Sequence, residues 1–220
     1  MLRIPRPRRS RPEDVDVVIV TAGDVQRMLR ASEDWQELLC MSVLAYLGPR
    51  RDSASRLRWR DVDMDAGTLR FREKGRKVSV KPMPRELHLI LREAFESGLL
   101  KCAGDDYVIP NRRPGAVRRA ERSNKFIWET VLRVAERVGV RATVHAIRRA
   151  FAVAFLTSHP GAIESLQALM NHARIDTTQV YLRALNKSKA MEAVRDLSWG
   201  LGFEELAVKA HTGFEPVPPP

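Results

Sequence analysis

Arg50, Lys74, His145, Arg148, His172 and Tyr181 are the side chains whose types and surroundings suit phosphodiester cleavage without a metal. His145 and Arg148 stand three apart on one predicted helix and share a face. Ile147, Phe151, Ala154 and Phe155 of that helix face a core, so the pair can line an anion-gripping pocket or form a plain basic surface. Arg50 follows the Gly48-Pro49 break. Free N–H groups at a helix start attract anions, and a guanidinium adds a two-pronged donor for phosphate. Lys74 opens the tight turn 74–77, where an ammonium can reach into a groove. His172 and Tyr181 bracket a loop leading into a helix, whose positive end favours a phenolate. Taken singly, each is better explained as a solvated cation or a packed helix-end aromatic. Together they supply an attacking phenol, cations for a developing phosphorane charge, and groups that move protons.

Helices must position most of these groups. Thr21 to Asp24 forms an N-cap signal, and Val25, Met28 and Leu29 follow at helical spacing. The pattern predicts further helices over about 35–47, 50–57 and 84–96, one carrying Ile127, Val131, Val134 and Val138, then 144–158 after Thr143, and 163–170. Asp176 caps another, with Tyr181 one turn in, and a last candidate carries Phe203, Leu206, Ala207 and Ala210. Thr68–Arg72 and Val78–Met83 read as a β-hairpin. Residues 101–115 read as a loop. The expected class is mainly α with a small antiparallel hairpin or sheet (α+β).

Among 220 residues, 38 Lys and Arg stand against 27 Asp and Glu, a net charge of +11. The excess points to a polyanionic partner, nucleic acid or a membrane surface, although the preference for Arg is also what a GC-rich genome produces. Cys40 and Cys102 are too few for a disulfide scaffold or a Cys-based zinc site. The longest mainly apolar stretch, 38–47, is far short of the roughly 20 residues that span a bilayer, and no apolar segment follows the basic start as in a secretory signal. A reducing cytoplasm is the expected location. Arginines alternate with Pro5, Pro7 and Pro12 over 1–18, a basic arm or linker; 19–199 reads as the globular domain; 200–220 holds the last helix and a Pro-rich tail.

In the order of these motifs the chain resembles the tyrosine recombinases, the family of phage integrases and chromosome-dimer resolvases, over about 19–196. Leu47-Gly48-Pro49-Arg50 with Leu57-Arg58-Trp59-Arg60-Asp61-Val62-Asp63 is similar to the family's first motif. Residues 68–77 resemble its hairpin, and the spacing from Arg50 favours Lys74 over Lys77 as the turn lysine. His145-Ala146-Ile147-Arg148 resembles its His-x-x-Arg box, and Leu169-Met170-Asn171-His172 with Tyr181 resembles its final histidine and nucleophile.

The resemblance implies the tyrosine recombinase catalytic-domain fold and a role for each residue. Tyr181 would attack the scissile phosphate and form a 3′-phosphotyrosyl link. Lys74 would protonate the 5′-oxygen that leaves. Arg50 and Arg148 would hold the non-bridging oxygens, His145 would assist proton transfer at the phenol, and His172 would hydrogen-bond the phosphate. It implies double-stranded DNA as partner, a tetramer on DNA with at most weak association off it, and no cofactor, metal or ATP. A type IB topoisomerase, and a DNA-binding regulator with a decayed site, are the alternatives. The sequence departs from the family's pattern at Ser53, three after Arg50, where an acidic residue commonly supports the site, and at Arg149 and Asn171. Family members commonly carry a helical domain before the catalytic one, so the expectation is an excised catalytic domain or a short member like the fimbrial-switch invertases. The C-terminal helix packs either in cis or, in trans, on a neighbouring protomer.

Overall fold

Ten of the thirteen residues of Trp35–Leu47 are apolar, all but Gln36, Glu37 and Ser42, so the segment makes a helix with no solvent face, and the fold is wrapped around it. The computed structural model describes residues 18–73, 77–100, 102–110, 124–159, 162–170, 194–195 and 197–200. Within them the elements run α1 (Ala22–Arg30), α2 (Trp35–Leu47), α3 (Arg51–Ser55), β1 (Val62–Asp63), β2 (Thr68–Arg72), β3 (Val78–Pro82), α4 (Arg85–Glu96), α5 (Lys125–Arg137), α6 (Val144–Ser158) and α7 (Ile163–Met170). The class is mainly helical with one small antiparallel sheet, as the patterning indicates.

Local chemistry starts the helices. Thr21 Oγ1 accepts from the Asp24 N–H at 3.1 Å while Asp24 accepts from the Thr21 N–H at 2.9 Å, a reciprocal cap for α1. Asp34 caps α2 and Thr143 caps α6 through their side-chain oxygens. Every residue of α2 is buried, which is how a helix apolar on all sides must sit. Helices α1, α4, α5 and α6 pack around it. Leu87, Ile90, Leu91 and Ala94 of α4 repeat at helical spacing and turn inward.

Glu37 is the charge that α2 takes into the core. It is fully buried, and Arg133 Nε and Arg137 Nη1 of α5 each donate to it at 2.8 Å. Burial alone would raise the Glu37 carboxyl, but the bonds from Arg137 and Arg133 outweigh it and hold the group below the ordinary carboxylate range. The pair fastens α5 to α2.

The sheet has the order β1-β2-β3, all antiparallel. Its third strand, the two-residue β1, is an addition to the expected hairpin; it pairs Val62 with Leu69. Two residues carry too little alternation to be seen in a sequence. Helix α3 is also shorter than the expected 50–57: Arg50 is its extended N-cap, and the chain leaves the helix at Arg56. Residues 1–17 of the expected basic arm, the turn residues 74–76, positions 101 and 111–115 of the expected loop, the Asp176-capped helix and the helix around Phe203 lie outside the described residues. Val194, Leu197 and Trp199 are buried in the same core, with Trp199 edge-on to Tyr46 at 6.5 Å.

Helix α2 ends at Gly48, a left-handed residue with φ of 52°. A Cβ there would lie 2.6 Å from Cδ1 of the buried Phe151. Gly48→Ala therefore meets both a backbone penalty and a clash, and is expected to cost roughly 2–4 kcal/mol of stability. Urea unfolding of the two proteins checks this; an unchanged midpoint would mean that the α2–α6 contact yields freely.

Candidate active site

Every buried helix end must find partners for its last carbonyl groups. At the end of α2 those partners are long cations from elsewhere in the chain. Arg148, on α6 and 5% exposed, donates Nη1 to the Gly48 carbonyl and Nη2 to the Met170 carbonyl at 2.7 Å. Its guanidinium thereby ties the ends of α2 and α7 together. Lys81, 2% exposed, donates Nζ to the Leu47 carbonyl at 2.8 Å. The pleat explains its burial: Lys81 pairs with Leu69, so it shares that residue's inward face, and its Nζ lies 5.6 Å from the Phe71 ring centroid.

Arg50 enters from the other side, as the N-cap of α3. Its Nη1 donates to Glu73 Oε2 at 2.9 Å, and the Ser53 hydroxyl donates to the same oxygen at 3.1 Å. The Glu73 side chain is 3% exposed and that of Arg50 is 40% exposed. One cleft of about 430 Å³ is lined by Pro49, Arg50, Trp128, Thr143, His145 and Arg148, among others.

The electrostatics are those of an anion site. Burial, then the neighbouring Arg50, push Arg148 down to about 10, against a pull upward from Glu73; it stays charged at neutral pH. Burial, Arg149 and Arg148 all lower His145 below the ordinary imidazole value, so its ring is neutral at neutral pH. Burial is the main cause that lowers Lys81, from the ordinary 10.5 to about 7, with Arg148 and Arg50 adding to it and Glu73 opposing.

The sequence model of the phage integrase family matches residues 19–188. The chain belongs to that family. It is 29% identical over 187 residues to the tyrosine recombinase XerC of Xanthomonas axonopodis pv. citri, a stretch covering 82% of this chain and 57% of the relative. It is 28% identical over 185 residues to the tyrosine recombinase XerA of Thermococcus kodakarensis, covering 83% of this chain and 62% of the relative. The chain thus spans a little over half the length of these relatives. The integrase of mycobacterium phage Brujita superposes with a TM-score of 0.67 at 20% identity, over 91% of this chain and 65% of that one, and shares its fold.

Of the six candidate residues in this integrase-family chain, the fold brings Arg50, His145 and Arg148 to one cleft. Lys74, His172 and Tyr181 lie outside the described residues. Sequence reasoning missed Glu73, Lys81 and Trp128. Glu73 precedes Lys74 directly but carries no local mark of its partner 23 residues away. Lys81 becomes visible only once the strand register is known, because its inward face follows from pairing with Leu69. Trp128 sits on α5 beside a core position, and nothing in its spacing marks it.

The buried lysine has a consequence for stability. The unfolded chain keeps the Lys81 proton up to the ordinary value of 10.5, whereas the folded site releases it near 7. Between those values the unfolded chain holds more protons, so rising pH favours the folded state, by on the order of 1 kcal/mol per pH unit at most. Lys81→Met is expected to remove that rise. Denaturant unfolding at pH 7, 8 and 9 checks it; parallel pH curves for the two proteins would show Lys81 to be charged throughout.

Proposed function

We propose that this chain is the catalytic domain, residues 19–199, of a site-specific DNA recombinase or integrase that breaks and rejoins strands through a 3′-phosphotyrosyl intermediate. One observation carries the reading: Arg50, His145 and Arg148, which the family motifs single out, line a common cleft in a chain of the phage integrase family. The relatives' names, tyrosine recombinases, support it over a topoisomerase or a decayed regulator. The net charge of +11 suits double-stranded DNA as the partner.

The chemistry follows from the site. A phenol has a pKa of about 10, so Tyr181 needs a proton acceptor or a cationic pocket to attack at neutral pH. His145, neutral there, can take the proton. The Tyr181 oxygen bonds to phosphorus as the bond from phosphorus to the 5′-oxygen breaks, and Lys74 returns a proton to that oxygen. Arg50 and Arg148 hold the charge that gathers on the non-bridging oxygens, with His172 as a further donor. Arg148 is preorganised for this, because two helix-end carbonyls already fix its guanidinium. One phosphodiester is exchanged for another, so neither ATP nor a metal is needed to conserve the bond energy. Exchange between two duplexes needs four strand breaks, which a tetramer on DNA provides. The site of action is the cytoplasm, on a bacterial or phage chromosome; among the described residues no helix is long and apolar enough to cross a membrane.

Supercoiled plasmid in EDTA at low salt, quenched with detergent, is expected to carry covalently attached protein. Tyr181→Phe is expected to form none; an adduct that persists in the variant would reassign the nucleophile, and its loss in EDTA for the unaltered protein would demand a metal. Arg50→Ala is expected to slow adduct formation roughly 10²–10³-fold, the usual effect of losing one preorganised donor. A change below threefold would remove Arg50 from the chemistry.

A further inference from the structure

Arg50 has a difficult placement. It caps α3 with an extended backbone, and its long side chain is partly exposed at the edge of the cleft. A guanidinium on such a stem samples many rotamers unless something fixes it, and catalysis needs it fixed. One means of holding it would be a carboxylate one turn along the same helix, at position 53. That position is a buried serine, too short and uncharged to do so.

The carboxylate comes instead from the sheet. Glu73, just after the end of β2, is buried, and its Oε2 receives both Arg50 Nη1 at 2.9 Å and Ser53 Oγ at 3.1 Å. The serine hydroxyl thus points the carboxylate toward the arginine. The backbone of Glu73 is held as well: its N–H donates to the Lys77 carbonyl at 2.7 Å, closing the base of the hairpin. Glu73 is also the negative charge that acts on Lys81 and Arg148, opposing the mutual repulsion of the cations gathered there. A buried carboxylate amid three cations is retained at a desolvation cost that only such pairing offsets.

We propose that Glu73 is the positioning residue for Arg50, holding its guanidinium at the edge of the cleft where it meets a phosphate, with Ser53 as the relay that orients the carboxylate. This rests on the reading of the cleft as a phosphodiester-cleaving site. Glu73 touches no substrate in this account; it acts through Arg50. A carboxylate moved to position 53 should then substitute for it.

Two measurements on the full chain test the assignment. The first needs no DNA: nitrogen-15 NMR of the Arg50 guanidinium, identified by its loss in Arg50→Lys. Slow rotation with separate Nη signals is expected for the unaltered protein, and averaged signals for Glu73→Ala, or for Glu73→Gln should the alanine variant not fold. The second is the rate of covalent adduct formation on supercoiled plasmid, with plasmid affinity measured alongside. Glu73→Ala is expected to lower the rate about 10²-fold, as misplacement of a reacting group does, with affinity changed less than threefold. Ser53→Glu in the Glu73→Ala background is expected to restore the rate at least tenfold. An Arg50 guanidinium equally restrained without Glu73, a rate within threefold of the unaltered protein, or failure of the position-53 carboxylate to restore any rate would overturn the proposal. Absence of an adduct from the unaltered protein would overturn the functional reading instead, and the NMR comparison would then decide the role of Glu73 by itself.

Discussion

The buried carboxyl end of α2 is the constraint on which the rest of the structure turns. A helix sealed on all sides leaves its last carbonyls out of reach of water, and each unpaired one costs about 1–3 kcal/mol. The Gly48 N–H returns to Leu44, Lys81 serves Leu47, and Arg148 serves Gly48 itself. A helix end carries partial negative charge, so cations are the fitting partners. The same requirement that closes the core therefore brings Arg148 to the wall of the cleft. Arg148 is structural through these hydrogen bonds, and in the proposed reaction the same bonds would preorganise it.

The buried carboxylates Glu37 and Glu73 show how this protein treats charge in opposite ways. Glu37 meets Arg133 and Arg137, and Glu33 also meets Arg137 at 2.8 Å, so two carboxylates face two guanidiniums in a staple that fastens α5 to α2. Around Glu73 the balance is deliberately unequal: Arg50, Lys81 and Arg148 all act with it, and the cleft keeps a positive excess. Such an excess is what a phosphate would neutralise. Burial makes it sharper by lowering the local dielectric, and it also keeps His145 in the neutral form that can accept a proton.

The protein's position in the phage integrase family rests on motif order and on fold, and the physics gives that order its sense. Each motif stands where one element ends and another begins. Arg50 follows the end of α2, Glu73 follows the end of β2, and His145 and Arg148 open α6. Element ends offer unpaired backbone groups and side chains free of their own helix or strand, and the core between them keeps those ends in register.

What could be read from the sequence was local. Thr21 and Thr143 announce α1 and α6, because a capping oxygen needs only a donor three residues on. The apolar run of α2, the alternation of Leu69 and Phe71, and the shared face of His145 and Arg148 are likewise properties of short segments. The site's inner partners were not legible, since they join residues 23, 34 and 100 positions apart: Arg50 with Glu73, Lys81 with Leu47, Arg148 with Gly48. A lysine at position 81 reads as a solvent residue until strand register turns it inward, and a serine at 53 reads as a missing carboxylate until the hairpin supplies one. Spacing and caps determined which elements form and which residues are candidates for the proposed chemistry. Tertiary structure decided which charges are buried together, because desolvation and pairing act only between groups that the whole fold brings within reach.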